Sequence, residues 1–151
     1  MADVFSQLYI QIVFAVKHRQ ALIQPEWEVS LHKYITTVIQ NRGHKVLAIN
    51  GMPDHLHLFI GMKPVENISE LVREVKKTST RFIQHNGYCL GKFQWQSGYA
   101  VFSYSHSHLE RVCRYIENQK HHHARQNFRA EFEAILERRE IDRGPKRPFD
   151  F

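Results

Sequence analysis

The chain has 151 residues, with 21 Lys and Arg against 15 Asp and Glu, 11 His and a formal net charge of +6. That length fits one domain with its own core, and 42% hydrophobic residues is ordinary for a globular protein. No apolar run approaches the ~20 residues of a membrane helix, and the start lacks the basic-then-apolar pattern of an export signal. Cys89 and Cys113 are too few for a disulfide framework. The expectation is a reduced, cytoplasmic protein with no membrane partner. Its surplus of positive charge favours a polyanionic partner, nucleic acid first.

The segment "QLYIQIVFAVK" (7–17) is apolar on both of its alternating faces, which suits a central strand. Pro25 opens a helix at a position where its missing N–H costs nothing, and the helix runs to about Asn41, before Gly43. "KVLAIN" (45–50) and "HLHLFI" (55–60) read as short strands joined by the turn-rich "GMPD". Asn67 and Glu70 form a capping-box pattern ahead of a helix that buries Ile68, Leu71, Val72, Val75, Phe82 and Ile83. "FQWQSGYAVFSYS" (93–105) reads as strand, interrupted by a bulge or bend at Ser97-Gly98. Ser107 and Glu110 are expected to cap a helix with Leu109, Val112, Cys113 and Ile116 as its apolar stripe. A last helix sets Phe128, Phe132, Ile135 and Leu136 on one face. The domain then ends near residue 140, and 141–151 is a basic, Pro/Gly-interrupted tail expected to be poorly ordered.

Strand, helix, strand, strand, helix, strand is the order of the split βαβ fold. The fold class is therefore α+β, a ferredoxin-like antiparallel sheet with additional C-terminal helices. Such a fold hosts many functions, so chemistry has to be argued from the site.

His55 and His57 project from one face of their strand, while Leu56, Leu58 and Ile60 face the core. Two imidazoles so placed can converge on one ion. Yet the spacing alone is weak, because His106/His108 and His121/His123 repeat it in this histidine-rich chain. A third ligand has to come from elsewhere. On the helix beginning near His108, Tyr115 and Gln119 lie one turn apart on one flank, with Arg111 and His122 nearby. A tyrosine beside an amide and a cation could handle a phosphodiester; a half-buried tyrosine on an amphipathic helix is the plainer alternative. On the 67–86 helix, Arg73, Lys76, Lys77, Thr80 and Gln84 form a stripe that contains no acid, with Arg81 at its edge. It would track phosphates or simply face solvent. Trp95, Tyr99, Phe102 and Tyr104 could stack bases where they are not core.

Four segments in order, "VFAVKHRQ" (13–20), "MPDHLHLFI" (52–60), "WQSGYAVFSYS" (95–105) and "YIENQKHHH" (115–123), resemble the single-tyrosine HUH transposases of small bacterial insertion sequences. The similarity spans roughly residues 5–130. It implies that His55 and His57 ligate Mg2+ or Mn2+, that Gln119 completes the metal site, and that Tyr115 is the nucleophile. Two imidazoles suit manganese better than magnesium. The implied reaction cuts and rejoins single-stranded DNA through a 5′-phosphotyrosine, and nothing near Tyr115 in sequence offers an obvious base. Candidate DNA contacts are Lys17, Arg73, Lys76, Lys77, Arg81 and Arg111. The implied partners are single-stranded DNA with hairpin ends and a second copy of the chain, the tyrosine helix of one subunit completing the histidine site of the other. A domesticated relative acting on repeated palindromes would share this chemistry. A non-catalytic single-strand-binding module would leave Tyr115 and Gln119 idle, and a zinc hydrolase is the weaker reading because the histidines lack an acidic ligand or base near them.

Overall fold

The computed structural model describes residues 3–122 and 127–138. Four strands, β1 (Tyr9–Ala15), β2 (Lys45–Met52), β3 (His55–Gly61) and β4 (Ala100–Tyr104), form one sheet in the order β2-β3-β1-β4. Every neighbouring pair is antiparallel. With α1 (Pro25–Asn41) after β1 and α2 (Ile68–His85) after β3, this is the expected α+β split βαβ sheet. Three further helices follow: α3 (Leu109–Glu117), α4 (Gln119–His122) and α5 (Phe128–Arg138).

The sheet is apolar on both faces because it is covered on both. Ile10, Ile12, Phe14, Leu56, Leu58 and Ile60 face α1 and α2, where Leu31, Ile35, Leu71 and Val75 meet them. The other face carries Val13, Ala15 and Phe102 against Phe132, Ile135 and Leu136 of α5. Beside these, Ala48 and Phe59 pack on Val112 and Ile116 of α3. This second face also holds the two histidines of β3. Asn67 caps α2 by accepting from the Glu70 N–H at 2.8 Å.

Three local expectations are corrected. The 93–105 segment is strand only from Ala100, with Trp95 making a single bridge to Val16. The chain turns away at Gly98 (φ +91°), and the Lys76 ammonium holds the carbonyls of Gln96 and Gly98. Ser107 does not cap α3. A 3-10 turn over His106–His108 leads in, and the Ser107 hydroxyl pairs with that of Ser105. Tyr115 and Gln119 do not share one helix either: α3 stops at Asn118 (φ −96°, ψ 18°) and Gln119 opens α4. The tail 141–151 and His123 lie outside the described residues. Among the described residues no helix is long and apolar enough to cross a membrane.

Candidate active site and metal centre

The β2–β3 hairpin brings the site together. Gly51 pairs with Leu56, and a Cβ added at Gly51 would stand 2.2 Å from the His55 carbonyl oxygen. Only a glycine lets the two strands approach this closely. His55 and His57 are fully buried on the face covered by α3 and α5, their ring centroids 5.2 Å apart. Completely buried imidazoles in an apolar layer need polar partners, and each has a full set.

The His55 Nδ1 donates to the Asp54 carboxylate at 2.7 Å, and its Nε2 lies 3.3 Å from the Gln119 Oε1. The Asp54 bond fixes the ring so that Nε2 can present a lone pair, the arrangement that orients metal-binding histidines. His57 Nδ1 meets the Gln11 amide at 2.9 Å, and its Nε2 lies 3.2 Å from Glu131 Oε1. Glu131 is 3% exposed, and its other oxygen accepts from the Gln119 Nε2 at 3.2 Å. That bond turns the Gln119 carbonyl toward His55. The ligand atoms of His55, His57 and Glu131 lie within 4.8 Å of one another. The Gln119 Oε1, 3.3 Å from the His55 Nε2, borders this group and adds a second kind of oxygen donor to two nitrogens and a carboxylate. A buried carboxylate among imidazoles fits a divalent cation, and this donor set suits manganese, magnesium or zinc.

Tyr115 stands beside this cluster, its ring 6.0 Å from that of His57. Its hydroxyl is shielded from water and faces Glu131 and Gln119. Burial first, then the charge of Glu131, hold the phenol well above its ordinary pKa. A cation that offset the Glu131 charge would relieve the second effect. Lys120 fastens α4: its ammonium donates to the Gly51 carbonyl, the Asn50 side chain and Glu28. The residue that follows Gln119 is thereby pinned to the hairpin that carries the histidines.

His55, His57, Tyr115 and Gln119 therefore converge, and they do so within one chain. Within the chain, α3 docks on its own β2 and β3, and Asn50 donates to the Glu117 carbonyl. The expectation that no acid or base lies near the histidines falls, to Asp54 and Glu131. Glu131 and Gln11 each left a trace in the sequence. Glu131 is an acid on an apolar helix stripe, three residues after Phe128 and four before Ile135. Gln11 is the one polar residue on the inner face of β1 beside Val13 and Ala15.

The basic stripe on α2 is not free of acids. Arg73 pairs with Glu70 and Lys77 with Glu74, each one turn earlier, where stripe and acid become neighbours. Burial pushes the Lys76 ammonium down to about 8, and it is occupied by backbone carbonyls. Moreover α2 covers the sheet face opposite the histidines. Lys17 instead follows Val16, whose N–H bonds the Asp54 carbonyl, and Arg111 lies on α3 four residues before Tyr115. His18 (φ 58°) and Arg19 (φ 52°) hold left-handed backbone in the turn beside it. Trp95 and Phe102 are core residues, Trp95 donating to Ser79 at 2.9 Å.

With this α+β sheet and its histidine–tyrosine cluster described, the similarities to known proteins all point to transposases. The family described as "Transposase IS200 like" matches residues 4–119, and the chain belongs to it. It is 25% identical over 118 residues to the ISDra2 transposase TnpA of Deinococcus radiodurans, covering 75% of this chain and 84% of that one. The crystal structure of a putative transposase from the same organism superposes with a TM-score of 0.60 at 24% identity, covering 79% of this chain and 95% of that one. A REP-associated tyrosine transposase bound to a REP hairpin has a TM-score of 0.57 at 19% identity, with 80% and 74% covered. These two likenesses speak for the fold.

Proposed function

We propose that this transposase cuts and rejoins single-stranded DNA carrying hairpin ends, with Tyr115 as the nucleophile. The observation that carries the reading is the Tyr115 hydroxyl facing Glu131 beside the His55–His57 pair. The Tyr115 oxygen attacks phosphorus in line, forming a 5′-phosphotyrosine and leaving a 3′-hydroxyl on the other strand end. Glu131, the carboxylate facing the phenol, takes up its proton as the bond forms. Attack by a DNA 3′-hydroxyl reverses the step, so strands are rejoined without an outside energy source.

His55, His57, Gln119 and Glu131 would hold Mg2+ or Mn2+. A cation there supplies Lewis acidity toward the scissile phosphate. Asp54 and Gln11 orient the two imidazoles, and Lys120 keeps Gln119 in reach. Lys17 and Arg111 are the DNA contacts nearest the site, with Arg73, Lys77 and Arg81 a more distant track on α2. Two copies would pair as a homodimer, each copy carrying its own complete site. A domesticated role at repeated palindromes would use the same residues.

Incubation with labelled single-stranded DNA and Mn2+ tests the reading. Wild-type protein is expected to give an adduct that survives denaturation, whereas Tyr115→Phe binds the same DNA and gives none. A normal adduct yield from Tyr115→Phe would move the nucleophile elsewhere.

A further inference from the structure

A cavity of about 460 Å³ opens beside the nucleophile, with Tyr104, His108, Arg111, Tyr115 and Arg138 in its wall and Val112 and Ile135 at its floor. That volume suits a ligand of nucleotide size. Among the described residues its lining contains no carboxylate, and neither Arg111 nor Arg138 has a carboxylate partner there. Arg138 lies close enough to act on the charge of the Tyr115 phenol. Tyr104 and His108, with ring centroids 6.5 Å apart, offer flat faces for a base. Two guanidiniums, hydroxyls of Ser103 and Ser105, and an apolar floor match a phosphate joined to a nucleobase.

A hydrogen-bonded chain ties this cavity to the metal centre. The Tyr104 hydroxyl donates to Gln11 Oε1 at 2.9 Å, and Gln11 Nε2 meets His57 Nδ1 at 2.9 Å. In that amide orientation His57 carries its proton on Nε2, directed at Glu131. A cation on Nε2 needs the proton on Nδ1 instead, and Gln11 must then present its oxygen. The two ends of an amide have nearly the same shape, so the side chain turns over in place. Its Nε2 then donates to the Tyr104 oxygen, and the Tyr104 proton is released toward the cavity that Tyr104 lines. We propose that this cavity seats one unpaired nucleotide of the strand being cut, and that Gln11 and Tyr104 couple its occupancy to the metal ion at His57. The proposal rests on the strand-cutting reading for the identity of the ligand, not for the cavity or the chain.

Coupling of this kind is reciprocal. The four deoxynucleoside 5′-monophosphates and Mg2+ are titrated separately and together into 15N-labelled full-length protein, followed by NMR. At least one nucleotide is expected to shift Tyr104 and Ile135 signals, and Mg2+ to move the His57 proton from Nε2 to Nδ1. Each ligand should bind about five-fold tighter with the other present, the lower end of ordinary coupling. Arg111→Ala should lose nucleotide affinity and keep Mg2+ affinity. Tyr104→Phe should bind both ligands with no mutual gain. Nucleotides also chelate Mg2+ in solution, so a gain that survives in Tyr104→Phe belongs to that complex and overturns the link. No response to any nucleotide overturns the subsite. The DNA adduct assay separates the two readings: an adduct from a protein whose cavity ignores nucleotides sinks this inference alone, and a filled cavity without any adduct sinks the strand-cutting reading alone.

Discussion

At the scale of single residues, the site depends on how four buried polar side chains satisfy one another. Glu131 is the most consequential, because its carboxylate touches His57, Gln119 and the field of Tyr115 together. Replacing it by glutamine keeps size and shape while removing the charge that favours a cation and the base that faces the phenol. Glu131→Gln is therefore expected to weaken Mn2+ binding by about ten-fold or more, roughly 1.4 kcal/mol, and to slow adduct formation further. Calorimetric titration with Mn2+ checks the first, and unchanged affinity would remove Glu131 from the ligand set. The His55/His57 pair and the Tyr115/Gln119 pair stood out in the sequence because each is local within itself, and the resemblance joined one pair to the other. Glu131 did not, since its tie to β3 spans 74 positions, and only its misfit on an apolar stripe betrayed it. Asp54 was hidden for another reason: beside Pro53 it reads as turn chemistry, while its carboxylate accepts from the His55 Nδ1.

Among the secondary-structure elements, the central strand and the two crossover helices followed from periodicity, because burial on both faces of β1 and a strong apolar stripe on α2 leave little choice. The 93–99 segment did not. Its aromatic, strand-like composition serves packing of Trp95 on Phe14 and of Phe93 on Trp95 rather than a sheet ladder. The basic stripe on α2 changes by the same logic of neighbours, since Arg73 and Lys77 each pair with an acid one turn earlier. The β2–β3 hairpin offers the sharpest test at this scale. Gly51→Ala would drive a Cβ into the His55 carbonyl, and backbone on both sides leaves nothing flexible to yield. The strands must part, so a loss of about 1–3 kcal/mol is expected, in the range of overpacked interiors. Thermal unfolding measures that loss, and Mn2+ titration should show weakened binding because His55 moves with the strand. Wild-type stability together with wild-type affinity would mean the hairpin is looser than its geometry.

For the molecule as a whole, the question is whether one chain or two build a working site. The sheet has α1 and α2 on one face and α3 and α5 on the other. Tyr115 comes from α3, Gln119 from α4 and Glu131 from α5, and all converge on histidines of the same chain. The ties are specific as well as apolar: Asn50 to the Glu117 carbonyl at 3.1 Å, and Lys120 to the Gly51 carbonyl at 2.6 Å. A tyrosine helix lent to a partner would surrender those bonds and uncover Phe59, Ala48, Val112 and Ile116 until the partner restored them. Mixed assemblies of a His55→Ala chain and a Tyr115→Phe chain decide the matter. Sites built within one chain are all defective in such a mixture, since one lacks a ligand and the other its nucleophile. Co-purified pairs are therefore expected to bind single-stranded DNA and form no adduct, as each variant does alone. Recovered cleavage would mean that an intact tyrosine had reached intact histidines across the interface, and that α3 leaves its own sheet during the cutting step.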